Sequence, residues 1–256
     1  MPLIDTHCHL NLTDSYDDMN RVIDNAMEAG VSTFIVPGID IPTSEKAIEL
    51  ADKYDSVYAA VGIHPNDVLK APKNWLNIID DMSRHPKVVA IGESGLDFYW
   101  DDAPPEIQKT FFLQHLDLAI ERHLPIIIHN RDADDMMKDI ILSHPNTSGV
   151  FHCWPSGWDL ADAFLHKGYH ISITGTVTFK KNVLVQDVVS RMPLDRLMLE
   201  TDSPFLTPTP HRGIKPNEPK YLPFVADKVA ALRDLSRPDI DDQTSANAQQ
   251  LFGLKL

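Results

Sequence analysis

His7 and His9 stand two residues apart in the opening run Ile4-Asp5-Thr6-His7-Cys8-His9-Leu10. In an extended segment residues i and i+2 point to one side, so the two imidazoles can share a metal ion while Cys8 faces away. Alone, the same spacing fits a buried pair of strand-end histidines. His64 follows Val61-Gly62-Ile63, His129 follows three isoleucines, and His152 follows Val150-Phe151, each just past a short apolar run. Carboxylates recur in that setting: Glu93 in Gly92-Glu93-Ser94-Gly95 and Asp202 in Glu200-Thr201-Asp202-Ser203-Pro204. Either acid by itself also reads as a turn residue or helix cap. Taken together, His7, His9, His129, His152, Glu93 and Asp202 are too many ligands for one tetrahedral ion, but suit two ions sharing a carboxylate. Glu93 is the expected bridge. Two dications would keep the site positive against two carboxylates, which favours an anionic substrate such as a phosphate diester. A divalent ion lowers the pKa of bound water to about 7, and Asp202 is the expected general base. Asp5 shares the parity of His7 and His9 and is expected to orient one imidazole.

Those residues must be brought together by the elements that carry them. Short β-branched runs at 3–5, 33–36, 57–61, 88–91, 125–128, 150–151, 169–173 and 196–199 alternate with stretches of helical apolar spacing. The latter fall at 17–29, 43–54, 74–84, 106–122, 133–142, 158–166, 183–190 and 221–233, with a closing helix expected at 245–251. Sequential β-then-α units of this number indicate an α/β fold, a single (β/α)8 TIM barrel, over an open doubly wound sheet. One domain is expected over 1–256. No glycine-rich phosphate loop follows the first strand, which argues against a dinucleotide-binding fold. In a barrel the metal site belongs at the C-terminal ends of the strands, and each histidine and acid named above falls there. His85, His115, His123, His144, His166 and His170 fall in turns, helices or a strand start, and are expected to be structural or solvated.

With 256 residues, 43% hydrophobic and 23% charged, the chain has the composition of a globular protein and can bury a substantial core without cross-links. Its two cysteines are too few for a disulfide framework, which points to a reducing compartment. No secretory leader or membrane-length apolar run is read, so the expected location is cytoplasmic, without membrane association. The net charge of −14 repels a long phosphate backbone, so broad duplex binding is disfavoured and a nucleic acid must be held by metal or a local basic feature. His211-Arg212-Gly213-Ile214-Lys215 is such a feature, with Arg212 and Lys215 expected to meet flanking phosphates or else to form a solvated loop. Arg131 offers the same, or an ion pair with Asp132, Asp134 or Asp135. Tyr99, Trp100, Trp154 and Trp158 either stack on bases or pack the loops.

The blocks IDTHCHLNL, VGIHP, IGESGLDFYW, PIIIHNRDA, FHCWPSG, LMLETDSPFLTP and RGIKPNEP, with the tail NAQQLFGL, run in order through nearly the whole chain. In them the sequence resembles the TatD family of metal-dependent deoxyribonucleases, within the amidohydrolase-like barrels. The resemblance implies hydrolysis of phosphodiester bonds in DNA, from the 3′ end of single strands. It also implies one metal held by His7, His9, Glu93 and Asp202, a second held by Glu93, His129 and His152, and His64 facing a substrate phosphate. Ser94 stands where many relatives carry an apolar residue, and Cys153 and Trp154 replace the usual types after His152. Four imidazoles favour zinc, manganese, cobalt or nickel over magnesium. The expected partner is short or single-stranded DNA or a small phosphodiester, with no obligate protein partner. The nearest alternative is a metal-dependent ester or amide hydrolase on the same barrel, such as a deacylase of aminoacylated RNA. Many of those bridge their metals with a modified lysine, whereas here Glu93 holds the fourth-strand position and Lys87 precedes the strand. A non-catalytic metal-binding barrel is the remaining alternative.

Overall fold

Parallel strands covered on both faces read as apolar runs, and Val57–Val61 (β3), the 34–37 half of Val31–Pro37 (β2) and the three isoleucines that open Ile126–Arg131 (β5) are of this kind. A computed structural model of the chain describes residues 1–144 and 147–255. With Leu3–Asp5 (β1), Val88–Asp97 (β4), Gly149–Phe151 (β6), His170–Ile173 (β7) and Leu197–Leu199 (β8), these strands form an eight-stranded sheet in sequence order. Each neighbouring pair is parallel. The seam between β8 and β1 is held by the Thr6 N–H donating to the Leu199 carbonyl at 3.1 Å, and beyond it by the His9 N–H donating to Ser203 at 2.7 Å. The result is a (β/α)8 TIM barrel.

Helices Met19–Glu28 (α1), Ile41–Lys53 (α2), Trp75–Met82 (α3), Pro105–Arg122 (α4), Asp134–Ser143 (α5), Trp158–His166 (α6), Val183–Arg191 (α7) and Leu222–Arg233 (α8) follow the strands in turn. Their starts are set by local chemistry. The Asp18 carboxylate accepts from the N–H groups of Asn20 and Arg21 at 3.0 and 3.3 Å. Asp40 and Thr43 cap α2 reciprocally. Inside the barrel Ile4, Ile35, Ala60, Ala90, Ile127, Val150 and Met198 pack with Ala248, Phe252 and Leu254. A final helix, Arg237–Phe252 (α9), therefore closes the N-terminal end of the barrel and leaves the opposite end to the βα loops. No described helix is long and apolar enough to cross a membrane.

Two elements differ most from expectation, and β5 also runs on from 128 to Arg131, so that His129 lies within it. α9 starts at Arg237 rather than 245, because Ser236 caps it through the Asp239 N–H and Pro238 occupies its first turn. The polar run that follows masks its helical period. β4 continues from the expected 91 to Asp97, so Glu93 lies within the strand and not in a loop after it. The glycines that suggest a turn there serve a close approach of β5: a Cβ on Gly95 would lie 1.9 Å from the His129 carbonyl oxygen.

Candidate active site

Glu93 reaches the site from β4 and His129 from β5, while His7 and His9 follow β1, His64 follows β3, His152 follows β6 and Asp202 follows β8. All of them except the fully buried His7 line one cavity of about 700 Å³ at the C-terminal end of the barrel. His7 touches its floor from below, stacked on His152 with ring centroids 3.9 Å apart. Cys8 faces away, its thiol 3.7 Å from the Ile35 carbonyl. Cys153, Asp202 and Leu206 line the cavity with φ of +45°, +52° and +56°. Left-handed backbone at residues other than glycine gathers where a site requires it.

The carboxylate of Glu93 is the centre of the arrangement. Its Oε2 lies 3.2 Å from His7 Nε2 and 3.6 Å from His9 Nε2. Its Oε1 lies 2.8 Å from His152 Nε2 and 2.9 Å from His129 Nδ1. The imidazole nitrogens of each pair also face one another, His7 to His9 at 3.2 Å and His129 to His152 at 3.1 Å. Asp202 Oδ1 adds to the first group, 3.5 Å from His9 and 3.8 Å from His7. Two nitrogens bound to one tetrahedral zinc at about 2.05 Å lie about 3.3 Å apart. The donor set therefore suits a divalent cation, with Glu93 common to most of its candidate groups.

Burial works against charge here, and the partners decide each outcome. Burial would raise Glu93, but the imidazoles of His152 and His7 hold it well below the carboxylate range. Asp202, also raised by burial, is brought below its usual value by His9 and His7. Burial lowers His152, yet Glu93 and Glu200 carry it well above an ordinary histidine. His129 is likewise raised, by Asp97 and Glu93. His64 goes the other way: burial, with His129 nearby, pushes it down to about 3.

Two participating acids were not assigned a role from the sequence. Asp97 Oδ2 lies 3.0 Å from His129 Nε2, while its Oδ1 accepts from the N–H groups of Tyr99 and Trp100 at 3.0 and 3.3 Å. Glu200 Oε1 accepts from the Cys153 N–H at 2.6 Å and lies 3.5 Å from His152 Nδ1. The signal for Asp97 was parity, since Glu93, Gly95 and Asp97 share one strand face. Asp5 requires a correction. Its carboxylate accepts from the Thr201 N–H and hydroxyl at 2.9 and 2.6 Å, and from the His7 backbone N–H at 3.4 Å, rather than from an imidazole. Burial pushes it up to about 8. Asp5 thus ties β1 to the segment after β8.

Arg212 and Lys215 do not line the cavity. Arg212 lies over the Phe179 ring at 4.0 Å, and His211 stacks on Tyr221 with centroids 4.8 Å apart. Trp154 is buried edge-on against Phe151 and Phe164, and Trp158 lies beneath Arg191. Both pack loops. The histidines expected to be structural lie off the cavity. Among them His115 is fully satisfied, its Nε2 accepting from the Ile63 N–H at 3.0 Å and its Nδ1 donating to the Phe111 carbonyl at 2.8 Å. Among the described residues no lysine lines the cavity, and Lys87 donates to the Asp55 carbonyl at 2.9 Å, before β4.

Comparison with known proteins identifies the family. A family model described as TatD related DNase matches residues 4–253. The chain is 42% identical over 252 residues to the Bacillus subtilis protein named uncharacterized metal-dependent hydrolase YabD, covering 98% of each. It is 34% identical over 258 residues to the Klebsiella pneumoniae protein named 3′-5′ ssDNA/RNA exonuclease TatD, covering 96% of each. The crystal structure of YJJV, a TatD homologue from Escherichia coli, superposes with a TM-score of 0.93 at 32% identity, covering 99% of each chain. A barrel whose inward carboxylate is flanked by two imidazole pairs, matched end to end by that model and those relatives, belongs to the TatD family of metal-dependent hydrolases.

Proposed function

We propose that the protein hydrolyses phosphodiester bonds of single-stranded DNA from the 3′ end, using two divalent cations. The observation that carries this reading is the split of the Glu93 carboxylate, one oxygen toward His7 and His9 and the other toward His152 and His129. His7, His9, Glu93 and Asp202 would hold one ion, and Glu93, His129 and His152 the other. When bound, such a pair supplies positive charge for an anionic diester and lowers the pKa of water toward neutrality. Zinc, manganese, cobalt and nickel suit the imidazole-rich set better than magnesium.

The chain's own groups supply the remainder. Asp202, kept ionised beside His9 and His7, receives the proton of the attacking water on its carboxylate. Glu93 shares its charge between the two halves of the site and holds them in register. His64 Nδ1 accepts from the Asn66 N–H at 3.2 Å, which leaves the ring proton on Nε2, directed into the cavity 3.5 Å from Glu93. Its depressed pKa keeps the ring neutral at pH 7. His64 therefore offers a fixed N–H donor to a phosphate oxygen, without a charge to trap the product. The exonuclease name of the Klebsiella relative supports the polarity and the single-stranded substrate.

The test is a 5′-labelled single strand incubated with manganese-loaded protein. Stepwise shortening is expected, and His129→Ala is expected to abolish both that and hydrolysis of a model phosphodiester while its circular dichroism spectrum is retained. Hydrolysis of carboxyl esters with no phosphate ester cleaved would replace this reading by the ester or amide hydrolase alternative.

A further inference from the structure

Tyr99 and Trp100, in the loop after β4, are 54% and 52% exposed, adjacent and edge-to-face with ring centroids 4.9 Å apart. Adjacent exposed aromatics at a cavity mouth leave apolar surface uncovered beside the site, as ligand-binding surfaces do. Arg131 ends β5 and lays its guanidinium over the Tyr99 ring at 3.7 Å, with Trp100 at 5.9 Å. Asp134, which the sequence offered as an ion-pair partner, instead accepts from Asn130 and Ser156 at 2.7 and 2.8 Å. Among the described residues Arg131 is the one lysine or arginine lining the cavity.

Sheet register places this group beside the catalytic centre. Gly95 pairs with His129 and Asp97 with Arg131 across β4 and β5. Arg131 is thus two residues, about 6.6 Å, beyond His129 along the strand, the scale of one nucleotide. The platform is also anchored to that centre, since the carboxylate that meets His129 accepts the backbone N–H groups of both Tyr99 and Trp100.

We propose that Trp100, Tyr99 and Arg131 form a nucleotide subsite at the cavity mouth, in which the Trp100 indole stacks on the base next to the cleaved bond and Arg131, held flat on Tyr99, pairs with that nucleotide's phosphate. The subsite rests on the nuclease reading given above. Stacking on an indole accepts any base, so the subsite selects for an unpaired, unstacked base and not for its identity. Paired bases in a duplex cannot reach the ring without being extruded, and the subsite therefore discriminates by strandedness.

The test is a cycle of enzyme and substrate changes, with an abasic residue placed in turn at each of the last three 3′ positions of a short single strand. For the wild-type protein one position is expected to lower kcat/KM by about tenfold, within the range of a single lost stack. For Trp100→Ala the same abasic change is expected to alter kcat/KM less than twofold, and Trp100→Phe is expected to restore most of the sensitivity. An abasic penalty equal in wild type and Trp100→Ala at every position overturns the subsite while leaving the nuclease reading intact. If the wild-type protein cleaves no oligonucleotide, the nuclease reading fails, and the subsite is judged on binding. Quenching of a 2-aminopurine strand by wild type but not by Trp100→Ala upholds it, and equal or absent quenching overturns it.

Discussion

Asp97 uses both carboxylate oxygens, one facing His129 Nε2 at 3.0 Å and the other taking the N–H groups of Tyr99 and Trp100. With a cation held between His129 Nδ1, Glu93 and His152, the first contact would keep the ring proton on Nε2 and leave the Nδ1 lone pair to the ion. Asp97→Asn changes no volume, yet it cannot satisfy both sides. With its amide nitrogen toward His129, the proton is driven to Nδ1 and the lone pair is lost. In the other orientation the amide hydrogens face two backbone N–H groups. Either way His129 becomes a poorer ligand, and metal affinity is expected to fall about 10- to 100-fold, the usual cost of removing a carboxylate behind a ligating histidine. Calorimetric titration of the chelated protein with manganese measures this, and affinity unchanged within twofold would show that Asp97 does not orient His129. The signals that sequence carries for this site are unequal. His7, His9, His64, His129 and His152 stand out as a set, since each alone fits a structural strand-end histidine but five at the C-terminal ends of four strands converge on one barrel rim. Asp97 and Glu200 are harder to read, since a carboxylate near a strand end usually caps a turn or meets water. Asp5 misleads for a related reason: parity gives the side to which a carboxylate points, but not which of several nearby donors it takes.

At the scale of elements, β4 and β5 do most of the positioning, and their spacing depends on glycine. A Cβ on Gly95 would meet the His129 carbonyl oxygen at 1.9 Å, and the residue's φ of +153° is one that other residues rarely adopt. Gly95→Ala must push β5 outward at the residue that carries the imidazole. A loss of about 1–3 kcal/mol or more in stability is expected from such overpacking, with phosphodiesterase activity falling further than stability because His129 moves with its backbone. Denaturant unfolding and turnover of a model diester measure the two, and a variant as stable and active as wild type would mean that β5 is free to shift. The same glycines make β4 read as ending at 91. Gly92 and Gly95 read as punctuation, and only the neighbouring strand's closeness makes them strand residues. The remaining strands are legible through short buried apolar stretches such as Phe34–Val36, Ala59–Val61, Ile126–Ile128 and Leu197–Leu199. The sequence shows only the second half of α9, since Arg237–Phe252 buries only a narrow face and its first two turns are nearly all polar.

For the molecule as a whole, the net charge of −14 and the single-stranded nucleic acid proposed above as substrate are opposed. The positive groups near the mouth are few. Arg131 lines the cavity, and Lys180 and Lys181 follow the turn after β7. Arg212 is brought to the same side by its contact with Phe179 and by the Thr209 N–H bond to Thr178 at 2.8 Å. A protein that neutralises Z phosphates of a single strand shows log Kobs falling with log salt at a slope of about −0.7Z. With one to four such contacts the slope is expected to lie between about −0.7 and about −3. That is shallow for a nucleic-acid-binding protein, and it means that affinity rests on the cations of the site and on stacking more than on an electrostatic surface. Duplex, which engages long runs of phosphate and offers no unpaired base, is expected to bind weakly at every salt concentration. Fluorescence anisotropy of a labelled single strand and its duplex, titrated with the protein at 50, 100 and 200 mM salt (about a fourfold span), measures both slopes. A single-strand slope near −5 or steeper would require more phosphate contacts than the rim has cations, and would place the strand on another face of the barrel.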